Sequence, residues 1–209
     1  PFFFHYYKWR TLLKEREMDT GHTMATGQLI LLLVLVFSVL FSVVLIILPL
    51  LTFQKKGLQT ERKWNYILYF AALGLGFIFI EISYIQRFIL FLGYPTYSLT
   101  VILFSLLTFS GLGSFVSGKL PLSPQRLILI AVVALSAVAL GYMLLLPPIF
   151  NMFLGSPKQT RILVSLLLLF PPGLLLGMFF PTGIRIISED DRRFVPWAWG
   201  INGCASVIG

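Results

Sequence analysis

The sequence predicts an all-α membrane protein, a polytopic transmembrane helix bundle with about five full spans and a truncated sixth. Three observations carry that expectation. Of 209 residues, 57% are hydrophobic and 11% charged, whereas soluble domains carry roughly 25% charged residues. The mean hydropathy is +0.90. Uncharged apolar runs reach the length of about 20 residues that a helix needs to cross hydrocarbon. They lack the polar–apolar alternation of barrel strands. Helices also satisfy their own backbone groups, which lipid demands.

The chain divides at about residue 28. Residues 1–27 read as an interfacial tail and linker. Pro1–Trp9 is PFFFHYYKW, rich in amphipathic rings that favour the headgroup zone. Trp9, Leu12 and Leu13 share one helical face, with Arg10, Lys14, Glu15, Arg16 and Glu17 around it. This fits a short interfacial helix followed by a linker over Asp19–Gly27.

Residues 28–209 hold the spans. The first is Leu29–Leu51, 23 residues without charge, or about 34 Å of helix. The second starts near Trp64 and runs to about Leu92, interrupted by Glu81, Gln86 and Arg87. The third covers about Thr96–Ser117. The fourth covers about Leu127–Leu146 and is expected to close at Pro147-Pro148. The fifth covers about Ile162–Ile184. Its Pro171-Pro172 and Pro181 remove backbone donors and should kink or break it. A sixth opens near Pro196. Trp197–Gly209 offers only 13 uncharged residues, short of a span, so both ends read as cut.

Lys and Arg number 16 and Asp and Glu 8, for a net charge of +8. The basic residues flank spans, as Lys55, Lys56, Arg62 and Lys63 do, and there they meet headgroups. That excludes a nucleic-acid surface and makes the lipid bilayer the first partner. The 16 basic residues divide seven to nine between the two faces, so the positive-inside rule sets no orientation.

Residues able to carry chemistry are few. His5 and His22 both precede the first span, and Cys204 is the only cysteine. No catalytic, cofactor-binding or metal site can be drawn from them, and no cofactor is expected in this chain. Glu189-Asp190-Asp191 beside Arg192-Arg193 reads as a solvated loop. Glu81 is the most informative position, because a carboxylate at membrane depth is costly unless paired or neutral. Gly74, seven residues earlier, lies on nearly the same face and would let a helix approach closely. Glu81 is therefore expected to be buried and partnered by a neighbouring helix, or to sit at a boundary; a proton or substrate contact is the functional alternative. Arg87 falls on another face. Glu81, Gln86, Arg87 and Asn202 form the candidate intramembrane polar set. Ser110, Gly113, Ser114, Ser117 and Gly118 recur at helical spacing and form a candidate packing face.

Several strings carry a resemblance. They are PFFFHYYKW at 1–9, FIEISYIQRFILFLGYPTYS at 79–98, LFSLLTFSGLGSFVSG at 103–118, FPTGIRIISE at 180–189 and VPWAWGINGCASVIG at 195–209. The chain resembles the membrane-integral spermidine-synthase-like proteins of bacteria, in which a soluble aminopropyltransferase- or methyltransferase-like domain is fused to multispanning segments. The resemblance implies that Pro1 lies just after that soluble domain and that the spans form the membrane part. It implies a bacterial inner membrane location and a cytoplasmic tail. No position matches the family's acidic catalytic residues, so none is carried over. What matches is the membrane motif: Glu81, Gln86, Arg87, Gly111, Gly113, Ser114, Pro181, Gly183, Trp197, Trp199, Asn202 and Gly203. Two other readings stand beside this one. One is a structural or assembly subunit of a larger membrane complex; the other is a transporter handling substrate around Glu81.

Overall fold

The computed structural model describes residues 22–209, with side chains from Leu29 onward. The expected interfacial helix over residues 1–17 lies outside the described residues. Helix α1 (His22–Ser42) begins inside the stretch read as linker. It passes through a π-helical turn, Val43–Ile47, into α2 (Leu48–Phe53). Pro49 has no N–H to close the preceding helical turn, and a widened turn absorbs the mismatch. Four long helices follow: α3 (Lys63–Leu92), α4 (Pro95–Lys119), α5 (Pro124–Phe153) and α6 (Lys158–Asp190). A 14-residue helix, α7 (Val195–Ile208), completes the order. The described residues are an all-α bundle, and five helices are long and apolar enough to cross a membrane. The protein is a membrane protein.

The helix ends follow local chemistry. Proline occupies the first turn of α4, α5 and α7, where its missing N–H costs nothing. Gly93 ends α3 with φ of 91°, a conformation that glycine adopts without strain. Lys119 stands in the last turn of α4, complementary to the helix dipole.

One expectation about proline is corrected, and a second is narrowed. The fourth span does not close at Pro147-Pro148, because α5 continues to Phe153. The fifth is not broken, because α6 is one helix through Pro171, Pro172 and Pro181. A proline inside a helix frees the carbonyl four residues back, and a neighbouring helix can satisfy it. Pro172 frees the carbonyl of Leu168, and the Tyr142 hydroxyl on α5 donates to that oxygen at 2.6 Å.

Successive spans alternate direction, so α1 starts on what we call the near face. The loops at 54–62, 120–123 and 191–194 then share the far face. Two apolar cores result. Toward the near face, Tyr84, Phe88 and Phe91 of α3 meet Ile102, Leu106, Leu146 and Leu169. Phe91 stacks on Phe150 at 4.4 Å. Toward the far face, Tyr66, Phe70, Ile187, Phe194, Trp197 and Ala198 form the second core. Among the described residues, the first span joins the bundle through its far half. Gly200 of α7 takes Ile46 and Leu50 against its backbone, and the Cys204 thiol lies 3.9 Å from the Ser42 carbonyl. From Leu29 to Phe37 every residue of α1 is exposed, and lipid suits such an apolar surface.

Candidate functional site

The candidate packing face on α4 is partly a seam. A Cβ on Gly113 would collide with the carbonyl of Leu174 on α6, and one on Gly177 of α6 would collide with the Ser110 carbonyl. Glycine at both places lets the two backbones touch. Ser117 is fully buried, and its carbonyl accepts from Arg185 of α6 at 2.8 Å. That guanidinium sits near the C-terminal end of α4, where positive charge is favourable. Ser114 and Gly118 are not in the seam. Both are exposed, and a Cβ on Gly118 would meet nothing within 4 Å. Their helical phase, four residues on from Ser110 and Ser114, turns them past the line of contact.

The polar set does not assemble into one site. The midpoint of α3 falls between Phe77 and Ile78, so Glu81 lies about 5 Å beyond it toward the near face. Gly74 does admit a helix, as its spacing predicts. A Cβ there would stand 2.5 Å from the Asn202 carbonyl and 2.9 Å from Ala205 Cβ of α7. The expectation for Glu81 itself is corrected. It is half-buried and has no hydrogen-bond or ion-pair partner among the described residues. α7 runs parallel to α3, and Gly209 lies beside Leu75 and Ile78. Gln86 and Arg87 are exposed on other faces of α3. Arg87 borders a small recess with Ser83, Tyr84 and Tyr142, near enough to the end of α3 for its long side chain to reach the interface.

Asn202 belongs to a lateral cleft of about 550 Å³ walled by α3, α4, α6 and α7. Leu73, Phe77 and Ile78 form one wall. Leu107, Ser110, Gly111 and Ser114 form a second, and Leu176, Gly177, Phe180 and Pro181 a third. Trp199, Asn202 and Ser206 complete it. Trp199 packs edge-on against Phe180 at 4.5 Å. The Ser206 hydroxyl donates to the Asn202 carbonyl at 2.9 Å, while the Asn202 side-chain amide has no hydrogen bond among the described residues. Pro181 supplies no N–H to the Gly177 carbonyl, which also lies in this wall. The lining contains no charged residue. Sequence reasoning selected Asn202, Ser110 and Ser114 separately. Nothing in their spacing showed that α4 and α7 would share a cavity.

Residues 189–193 prove to be more than a solvated loop. Asp191 accepts from Arg193 in a two-pronged contact at 2.9 and 3.1 Å and from the Thr60 hydroxyl at 2.7 Å. Those donors hold its carboxyl well below the usual carboxylate range, Arg193 first and Thr60 second. The same contact pushes the Arg193 guanidinium up. Asp190 accepts from the Tyr66 hydroxyl at 2.5 Å. Trp197 donates from its indole nitrogen to the Gln54 carbonyl at 2.8 Å, and Gly57 fits under both Trp197 and Arg193. These contacts clasp the loop after the first span to the start of α7. Thr60, Tyr66 and Gln54 carry no local signature of that role. Among the described residues, no group of three or more His, Cys, Asp or Glu side chains is placed to hold a metal ion.

Compared with known protein families, curated proteins and solved structures, the chain has no match.

Proposed function

We propose that this chain is the membrane domain of a spermidine-synthase-like protein of the bacterial inner membrane, and that it anchors a soluble transferase domain joined ahead of Pro1. One observation supports anchoring over chemistry. The residues that carry the resemblance serve to hold helices together. Gly113 meets the α6 backbone, Gly183 lies against Tyr69 and Phe70, and Trp197 ties α7 to Gln54. A motif spent on close packing fits a scaffold. The first span, attached through its far half among the described residues, suits a tether leading back to the near face.

The intact mass of the native polypeptide tests this reading. A mass well above 23.6 kDa, with the extra sequence binding a nucleotide-type cosubstrate, supports it. A native mass equal to that of this chain refutes it. The 209-residue chain, purified alone, should show no aminopropyl or methyl transfer, and turnover by it would also refute the proposal.

A second reading, transport, draws on Glu81, a carboxylate about 5 Å from the middle of its helix and unpartnered among the described residues. Proton-coupled uptake abolished by Glu81→Gln, with the bundle intact, would favour it.

A further inference from the structure

The cleft between α3, α4, α6 and α7 presents a combination that bulk lipid tails do not complement. Its walls are apolar, yet it is lined by Asn202, whose side-chain amide has no hydrogen bond among the described residues, and by Gly177, whose carbonyl receives no N–H from Pro181. Unsatisfied polar groups in hydrocarbon cost several kcal/mol each, so an occupant that hydrogen-bonds to them is stabilised there.

Depth narrows the chemistry. Ser110 and Gly111 lie three and four residues past the midpoint of α4, and Gly177 lies three past the midpoint of α6. At 1.5 Å per residue this places them about 5 Å from mid-membrane toward the far face, inside a hydrocarbon layer about 30 Å thick. A phosphate cannot reach that depth without a cation to meet it, and the lining offers none. A hydroxyl can both accept from the Asn202 amide and donate to a carbonyl. The volume, about 550 Å³, falls within the range of small-molecule sites.

We propose that this cleft is a binding site for a neutral membrane lipid bearing a hydroxyl head, such as a diacylglycerol. The hydroxyl pairs with Asn202 and Gly177, and the chain lies along Leu73, Phe77 and Phe180. The site is independent of whether a transferase domain is attached.

The experiment uses the whole chain in bilayer nanodiscs. The probes are a diacylglycerol with a diazirine in one acyl chain and the phosphatidylglycerol with identical chains. Labelling of segments 107–114 and 199–206 is divided by labelling of 29–37, where every residue of α1 is exposed, which reports bulk lipid. The normalised diacylglycerol signal should exceed the phosphatidylglycerol signal at least fivefold. Gly111→Phe should abolish that excess without unfolding the protein, because a Cβ at Gly111 meets nothing within 4 Å and the ring projects into the cleft. Asn202→Ala should reduce the excess about fivefold, the worth of one hydrogen bond. Equal normalised labelling by both probes would overturn the proposal, as would a preference for phosphatidylglycerol. Full labelling retained in both variants would overturn it too.

Discussion

The pairing of Tyr142 with the carbonyl that Pro172 frees can be tested by a double-mutant cycle. Tyr142→Phe removes one hydroxyl and keeps the ring, which packs edge-on against Tyr84 at 6.3 Å. Hydrogen bonds between membrane helices average about 0.6 kcal/mol and reach about 1.7 kcal/mol. This one should lie near the upper end, because Pro172 has no N–H and the Leu168 oxygen would lose the donor that replaces it. We expect a loss of about 1.5 kcal/mol. In a Pro172→Ala background, the restored N–H can bond to Leu168, and the same Tyr142→Phe change should cost about 0.5 kcal/mol. Pro172 is fully buried, so Pro172→Ala carries a packing cost of its own, which the cycle cancels. The coupling of about 1 kcal/mol would be read from reversible unfolding in mixed micelles, monitored by tryptophan fluorescence. If Tyr142→Phe costs the same in both backgrounds, the hydroxyl is not replacing the proline's missing donor.

Three further outcomes follow from the same structure. Gly113→Leu should destabilise the bundle by about 3 kcal/mol, since backbone rather than a flexible side chain stands in its way. Gly118→Leu should be near neutral, and thermal melts of the two variants in detergent would show whether the seam lies where described. Glu81→Leu should leave stability unchanged or raise it, because no paired charge is broken and a costly group leaves the span; a clear fall in melting temperature would reveal a partner. Asp191 has a depressed folded-state pKa, so its contribution is fully present above its unfolded value near 4 and fades as pH falls through the lower folded value. Asp191→Asn should therefore lower the melting temperature by a constant amount from pH 5 to 8, and the two proteins should converge in strong acid. A difference that grows between pH 5 and 8 would contradict that assignment.

Much of the fold was legible because lipid imposes it. An uncharged run such as Leu29–Leu51 has few alternatives to a spanning helix, and the start of each later span was marked by proline or by a cluster of charge. Helix ends at prolines were not legible. Whether Pro148 or Pro172 stops a helix depends on what a neighbouring helix donates, and Tyr142 is 26 residues from Leu168. Gly74 was readable as a point of close approach, since a glycine in an apolar helix leaves a gap that something fills. That Glu81 lacks a partner among the described residues was not readable, because pairing depends on which side chains the neighbouring helices bring to its level. Of the serine and glycine stripe on α4, Gly113 and Ser117 are buried while Ser114 and Gly118 are exposed. Spacing identifies a face but not its edge, which falls within the roughly 100° between Gly113 in the seam and Ser114 beside it.

The clasp between Trp197 and Gln54 joins positions 143 residues apart. A ribosome releases Gln54 long before it reaches Trp197, so the helix that ends at Phe53 waits through that interval without this contact. The latch can shut only when α7 arrives. Its closure is therefore timed by the synthesis of Trp197, and nascent chains cut short of that residue would leave the helix before Gln54 without this hold.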